Sequence, residues 1–142
     1  MNRLQKLTST AVLSVAAIVT AAFAQSSTPA QTGVFHGQVH STSGRASVYE
    51  GSNGKLTLRL TNFKTSNGPD VHVLLIAAKD AQDNDNFLKN NVERIELGKL
   101  KGNEGDQNYD IPAGTDLTKF HTVAIYCARF NATFGAAPLE KF

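Results

Sequence analysis

Leu56, Leu58 and Leu60 alternate with Thr57, Arg59 and Thr61, and a period of two is what a strand with one face in a core and one in water requires. The pattern recurs. Phe35, Gly37 and Val39 alternate with His36, Gln38 and His40, the turn residues Ser41-Thr42-Ser43-Gly44 follow, and Ala46 and Val48 mark a second strand. Val71 to Ala77 is apolar on both faces apart from His72, which predicts a central strand covered from both sides. Ile95 and Leu97 restart the alternation, and Tyr109 and Ile111 form a short strand. Val123, Ile125 and Cys127 face one way in a first closing strand, and Phe130, Ala132 and Phe134 face one way in a second.

The punctuation between these stretches is chemical. Ser66-Asn67-Gly68-Pro69-Asp70 and Pro112-Ala113-Gly114-Thr115-Asp116 are turn sequences, and Gly98 to Asp106 is a glycine-punctuated loop. Asp80 to Asn91 is polar and asparagine-rich, read as a loop with one helical turn at Phe87-Leu88. There is no internal repeat. Short strands at such spacings predict an all-β fold, an antiparallel β-sandwich of the jelly-roll or immunoglobulin-like kind. Its expected core is Phe35, Val39, Leu56, Leu58, Leu60, Val71, Val73, Leu75, Val123, Ile125 and Phe134.

The first 24 residues follow another logic. Arg3 and Lys6 precede an apolar run centred on Ala11 to Val19, which ends in Ala22-Phe23-Ala24 before Gln25. A charged start, a short apolar middle and a small-x-small site predict a signal peptide over 1–24, cleaved after Ala24. The stretch is too short and alanine-rich to anchor, so no stable membrane anchor is expected after cleavage. Residues 25–32, QSSTPAQT, read as a flexible linker, and the domain is expected over 33–142. The expected location is outside the cytoplasm, periplasmic or extracellular.

Cleavage changes the charge. Without Arg3 and Lys6 the chain carries 12 basic residues against 12 acidic ones, so the pI of about 8.8 comes largely from the signal. No basic stripe remains to draw nucleic acid or anionic lipid.

The single cysteine, Cys127, bounds the chemistry. No intramolecular disulfide can form, and a lone thiol in an oxidising compartment calls for explanation, whether as a reactive group or as a small buried apolar residue. One cysteine argues against covalent c-type haem, which needs C-x-x-C-H, and against a four-thiolate iron–sulfur cluster. No histidine or methionine follows Cys127, so the closely spaced ligand loop of blue-copper proteins is missing, and so is a C-x-x-C pair. His36 and His40 would stand about 13 Å apart along one strand face, and His121 and Cys127 about 20 Å, too far to share a metal directly. Asp70-x-His72 is different. The two project from one strand face, so the carboxylate can orient the imidazole, although Asp70 also suits a turn. No G-x-S-x-G elbow supports a hydrolase. Asn131-Ala132-Thr133 fits the N-glycosylation pattern but falls in an expected strand and is read as chance.

Taken together, several strings resemble the DM-thirteen domain. They are Leu58 to Phe63, Asn67-Gly68-Pro69-Asp70-Val71-His72-Val73-Leu74-Leu75, Leu97 to Asn103, Asp106 to Pro112, Val123-Ala124-Ile125-Tyr126-Cys127, and Phe134 to Leu139, in the family's order over nearly the whole domain. The resemblance implies a β-sandwich and a role in electron transfer, with Cys127 as the redox group or as a ligand to a cofactor. Non-covalent haem and a metal both stay open, the cofactor being unknown. It also implies a separate redox partner protein, and a chain that is not a stand-alone enzyme. The residues themselves leave a second reading, a secreted binding or adhesion module with Cys127 buried and inert, because Cys127 shares a face with Val123 and Ile125. Asp70, His72, Asn108 and Tyr109 are the candidate binding residues.

Overall fold

The computed structural model describes residues 28–81 and 92–141, together with the isolated position Ser14. Ten strands are present among them, and no helix: β1 (Gln31–Val34), β2 (His36–Gly37), β3 (Ser43–Glu50), β4 (Leu56–Lys64), β5 (Val71–Ile76), β6 (Arg94–Lys99), β7 (Gln107–Ile111), β8 (Thr122–Cys127), β9 (Ala132–Pro138) and β10 (Glu140–Lys141). They form two five-stranded antiparallel sheets, ordered β10-β1-β3-β4-β7 and β2-β9-β8-β5-β6. One apolar cluster joins the two. Val48, Leu58, Leu60 and Ile111 enter it from the first sheet, and Val73, Leu75, Ile125 and Phe134 from the second.

The leucine alternation of β4 is realised as expected, with Leu56, Leu58 and Leu60 buried and Thr57, Arg59 and Thr61 half-exposed. β5 is the central strand its composition predicts, paired with β8 on one side and β6 on the other. Val73 and Leu75 face the shared core, while Leu74 and Ile76 join a second cluster with Ala81, Ala124 and Ala136 on the sheet's outer face. That second layer is why the run reads as apolar on both sides.

Several expectations are corrected. Val39 is not core; it is 38% exposed, because the chain leaves β1, crosses between sheets at Phe35 and, after pairing over His36–Gly37, bends at Gln38–His40, whose backbone N–H groups still donate to the Thr133 and Phe134 carbonyls of β9. Phe130 is not a strand residue but lies in the turn between β8 and β9, 59% exposed. Asn131, with φ of 50°, completes that turn, so Asn131-Ala132-Thr133 begins in a turn rather than in a strand. Asparagine tolerates this left-handed conformation better than most residues. Gly98 is inside β6, where φ of +136° accompanies a bulge opposite Val73 and Leu74. β1 takes in Gln31 and Thr32 from the expected linker. The helical turn expected at Phe87-Leu88 lies outside the described residues.

Candidate functional site

Cys127 ends β8, opposite Val71 of β5 on one side and Ala132 of β9 on the other. Side chains alternate along a strand, so Cys127 faces inward with Val123 and Ile125, and it is fully enclosed in the shared core. The end of the core beside it is closed by the Asn67–Asp70 loop. A Cβ placed on Gly68 would lie 2.7 Å from Val71 Cγ2 and 3.0 Å from Phe134 Cζ, so the backbone itself packs there. These surroundings do not fit a metal ion or a haem iron at Cys127, because the thiol sits among apolar side chains. Among the described residues no group of three or more His, Cys, Asp or Glu could hold a metal ion.

His72 stands one residue along from Val71 and therefore on the opposite face of the same sheet, with Tyr126 of β8 as its cross-strand neighbour. The sheet separates it from Cys127. The two do not form a cysteine–histidine pair. Asp70 orients His72 as its spacing predicts, Oδ1 lying 2.7 Å from Nε2. Glu96 of β6 meets the other ring nitrogen, Nδ1, and Lys99 Nζ lies 3.8 Å from Asp70. Sequence reasoning missed Glu96: its approach depends on the bulge at Gly98, which sets Glu96 opposite Leu74 and diagonal to His72. His72, Glu96, Leu74, Arg94, Tyr126 and Ala128 line a depression of about 190 Å³. The Arg94 guanidinium lies over the Tyr126 ring at 6.0 Å.

Asn108 and Tyr109 belong to β7 in the other sheet, so the four candidate binding residues do not form one site. Tyr109 is buried. Its hydroxyl accepts a hydrogen bond from Lys101 N at 2.9 Å and donates one to Gln107 Oε1 at 2.6 Å. Burial holds the phenol above its ordinary value near 10, and the bond from Lys101 pulls partly the other way. Asn108 Oδ1 accepts from Arg59 Nη1 at 3.0 Å, and Arg59 also pairs with Asp106 at 3.2 Å. These contacts brace the loop that carries the chain from β6 to β7.

The remaining histidines are dispersed. His36 Nε2 lies 2.7 Å from Asp80 and His36 Nδ1 accepts from Gln38, the His40 ring stands edge-on to Phe134 at 4.3 Å, and His121 Nδ1 donates to Lys119 O at 3.1 Å.

Two antiparallel sheets over one core, with a lone enclosed thiol on one face of the second sheet and a carboxylate-bound histidine on its other face, define an all-β domain without a recognisable hydrolytic centre among the described residues. Residues 34–139 match the family model described as electron transfer DM13, and the chain belongs to that family. No curated protein matches the chain. No solved structure matches it.

Proposed function

We propose that this chain is an exported electron-transfer module that works with a separate redox partner protein, with Cys127 as its candidate redox group. The match of residues 34–139 to the electron transfer family carries this reading. Cys127 and Met1 are the only sulfur-bearing residues, and Met1 would be lost with the signal peptide. The three-part pattern of residues 1–24 supports export to the periplasm or beyond. On this reading the domain is a two-sheet sandwich and one component of an electron-transfer chain rather than a stand-alone enzyme.

One observation favours a second reading. Cys127 is fully enclosed, and a reactive thiol needs a reachable thiolate. A binding or adhesion module would use Cys127 only for packing and would recognise its partner through the surfaces around Asp70 and His72 or Asn108 and Tyr109.

An absorption spectrum and metal analysis of protein purified from its native compartment, combined with thiol labelling, separates the two. Electron transfer by the Cys127 thiol itself predicts slow but measurable labelling of the native thiol, and any cofactor signal should survive Cys127→Ser. A colourless protein whose thiol reacts only after denaturation leaves the binding reading standing. N-terminal sequencing of the exported protein should begin at Gln25; retention of Met1 in a membrane fraction refutes cleavage.

A further inference from the structure

The sequence contains two Asn-Gly pairs, Asn53-Gly54 and Asn67-Gly68, and each joins a side-chain amide to a following residue with no Cβ to hinder its backbone nitrogen. They share a local chemistry and differ in their surroundings. Asn53 and Gly54 form the tip of the β3–β4 hairpin, where both are exposed. Gly54 has φ of +78°, and a Cβ built on it would meet nothing within 4 Å. Its N–H donates to Gly51 O at 3.0 Å, and Asn53 Oδ1 accepts from Lys55 N at 3.0 Å, both bonds being made within the turn itself.

Asn67 and Gly68 lie where the chain crosses from β4 to β5. Asn67 is exposed too, but Gly68 backs onto the core. A Cβ there would stand 2.7 Å from Val71 Cγ2 and 3.0 Å from Phe134 Cζ, and Phe134 is fully buried. Asn67 Oδ1 accepts from Asn103 Nδ2, which comes from the β6–β7 loop. Each asparagine oxygen therefore has a donor, so polarisation of the amide does not separate the two pairs. Freedom of the glycine backbone does.

We propose that Asn53 is a site of spontaneous deamidation to aspartate and isoaspartate, and that Asn67 is protected from it in the folded protein. The Gly54 nitrogen loses its proton and bonds to Asn53 Cγ; the Cγ–Nδ2 bond breaks, and the side-chain nitrogen leaves as ammonia. Solvent water then opens the resulting five-membered imide. Cleavage between the imide nitrogen and Cγ gives aspartate. Cleavage at the backbone carbonyl carbon gives isoaspartate, in which the main chain runs through the side chain and is one methylene longer. No oxidant or reductant takes part. Charge that builds on Oδ1 during the attack is met by the Lys55 N–H. The attack requires the peptide between Asn53 and Gly54 to rotate and the bond to Gly51 O to open, a local event at an exposed hairpin tip. The same rotation at Asn67 drives the Gly68 peptide against Val71 and Phe134, where close packing leaves no room for a longer main chain. The isoaspartyl product at Asn53 is an exposed substrate for a carboxyl methyltransferase of the isoaspartyl class. The site uses neither Cys127 nor His72 and does not depend on the electron-transfer reading.

Incubation of the purified protein at mildly alkaline pH, followed by mass mapping of its peptides and by methyl transfer from an isoaspartyl carboxyl methyltransferase, tests this. Asn53 should convert at least about tenfold faster than Asn67 in the folded protein, the ratio produced by about 1.4 kcal/mol of extra opening cost. In guanidinium chloride the two should convert at similar rates, because unfolding removes the difference in packing. Phe134→Leu makes room beside Gly68 and should speed Asn67 while leaving Asn53 unchanged. Where that variant does not fold, the native and unfolded rates of the unaltered sequence decide alone. Equal rates in the folded protein, or conversion of Asn67 ahead of Asn53, overturn the proposal. So does an Asn53 that stays intact in the folded protein after the unfolded chain has converted, or an Asn67 rate unmoved in a folded Phe134→Leu variant.

Discussion

Cys127 and Tyr109 are both inside the molecule, yet they are buried on different terms. Cys127 asks nothing of its neighbours, being a small apolar side chain among Val123, Ile125 and Ala132. Cys127→Ser puts a hydroxyl there and should lower stability by about 1–3 kcal/mol, read from the urea midpoint; an unchanged midpoint would mean that the site is wetter than its enclosure implies. Tyr109 instead brings a hydroxyl that is satisfied on both sides, by Lys101 N and Gln107 Oε1. Tyr109→Phe strands those partners and should cost about 1–2 kcal/mol at pH 7. The folded phenol titrates above its ordinary value near 10 because of burial. Its contribution is therefore complete below about pH 10, where the phenol of the unfolded chain is still neutral, and is lost as pH rises through the higher folded value. Denaturant midpoints at pH 8 and pH 11 should fall further apart in the native sequence than in Tyr109→Phe. An identical alkaline loss in both would remove Tyr109 from the account.

At the scale of elements, two glycines act for opposite reasons. Gly98 adopts φ of +136° in the β6 bulge, and a Cβ there would meet nothing within 4 Å. Gly68 has no such backbone demand but lies against Val71 and Phe134. Gly98→Ala should cost about 1–3 kcal/mol through backbone strain alone, and Gly68→Ala about 1–3 kcal/mol through overpacking. A second substitution separates the causes. Phe134→Leu makes room beside Gly68, so the cost of Gly68→Ala should shrink in that background while that of Gly98→Ala stays the same. Equal costs in both backgrounds would contradict the packing explanation. The bulge also matters to the surface, because it decides that Glu96 reaches His72.

Across the whole molecule, the chain passes between the two sheets six times among the described residues, at Phe35, over Gln38–Thr42, Thr65–Asp70, Leu100–Asp106 and Pro112–His121, and at Leu139, and both sheets feed one core. Neither sheet can keep its inner face buried alone. Leu58→Ala in the first sheet and Leu75→Ala in the second should each cost about 2–5 kcal/mol and displace a single unfolding transition, with circular dichroism and tyrosine fluorescence moving together. Two separable transitions would mean that the sheets are independent units.

The strands with strict alternation were legible because alternation is a local consequence of burying one face. Leu56, Leu58 and Leu60, the two-sided run from Val71, and the inward setting of Cys127 with Val123 and Ile125 all follow from side-chain direction along one strand. The Asp70–His72 contact was legible from its two-residue spacing, although Asp70 lies in the turn just before β5 rather than on the strand. What sequence could not supply is register and the path between sheets. Val39 and Phe130 continue an apolar alternation but fall where the chain bends or turns, since hydrogen-bond pairing, which involves distant residues, decides where a strand stops. Glu96 became a neighbour of His72 only through a bulge in a partner strand. The opposite-face placement of His72 and Cys127 needed the pairing of Val71 with Cys127. Local chemistry along one strand determined which faces are buried; long-range packing alone decided which side chains meet.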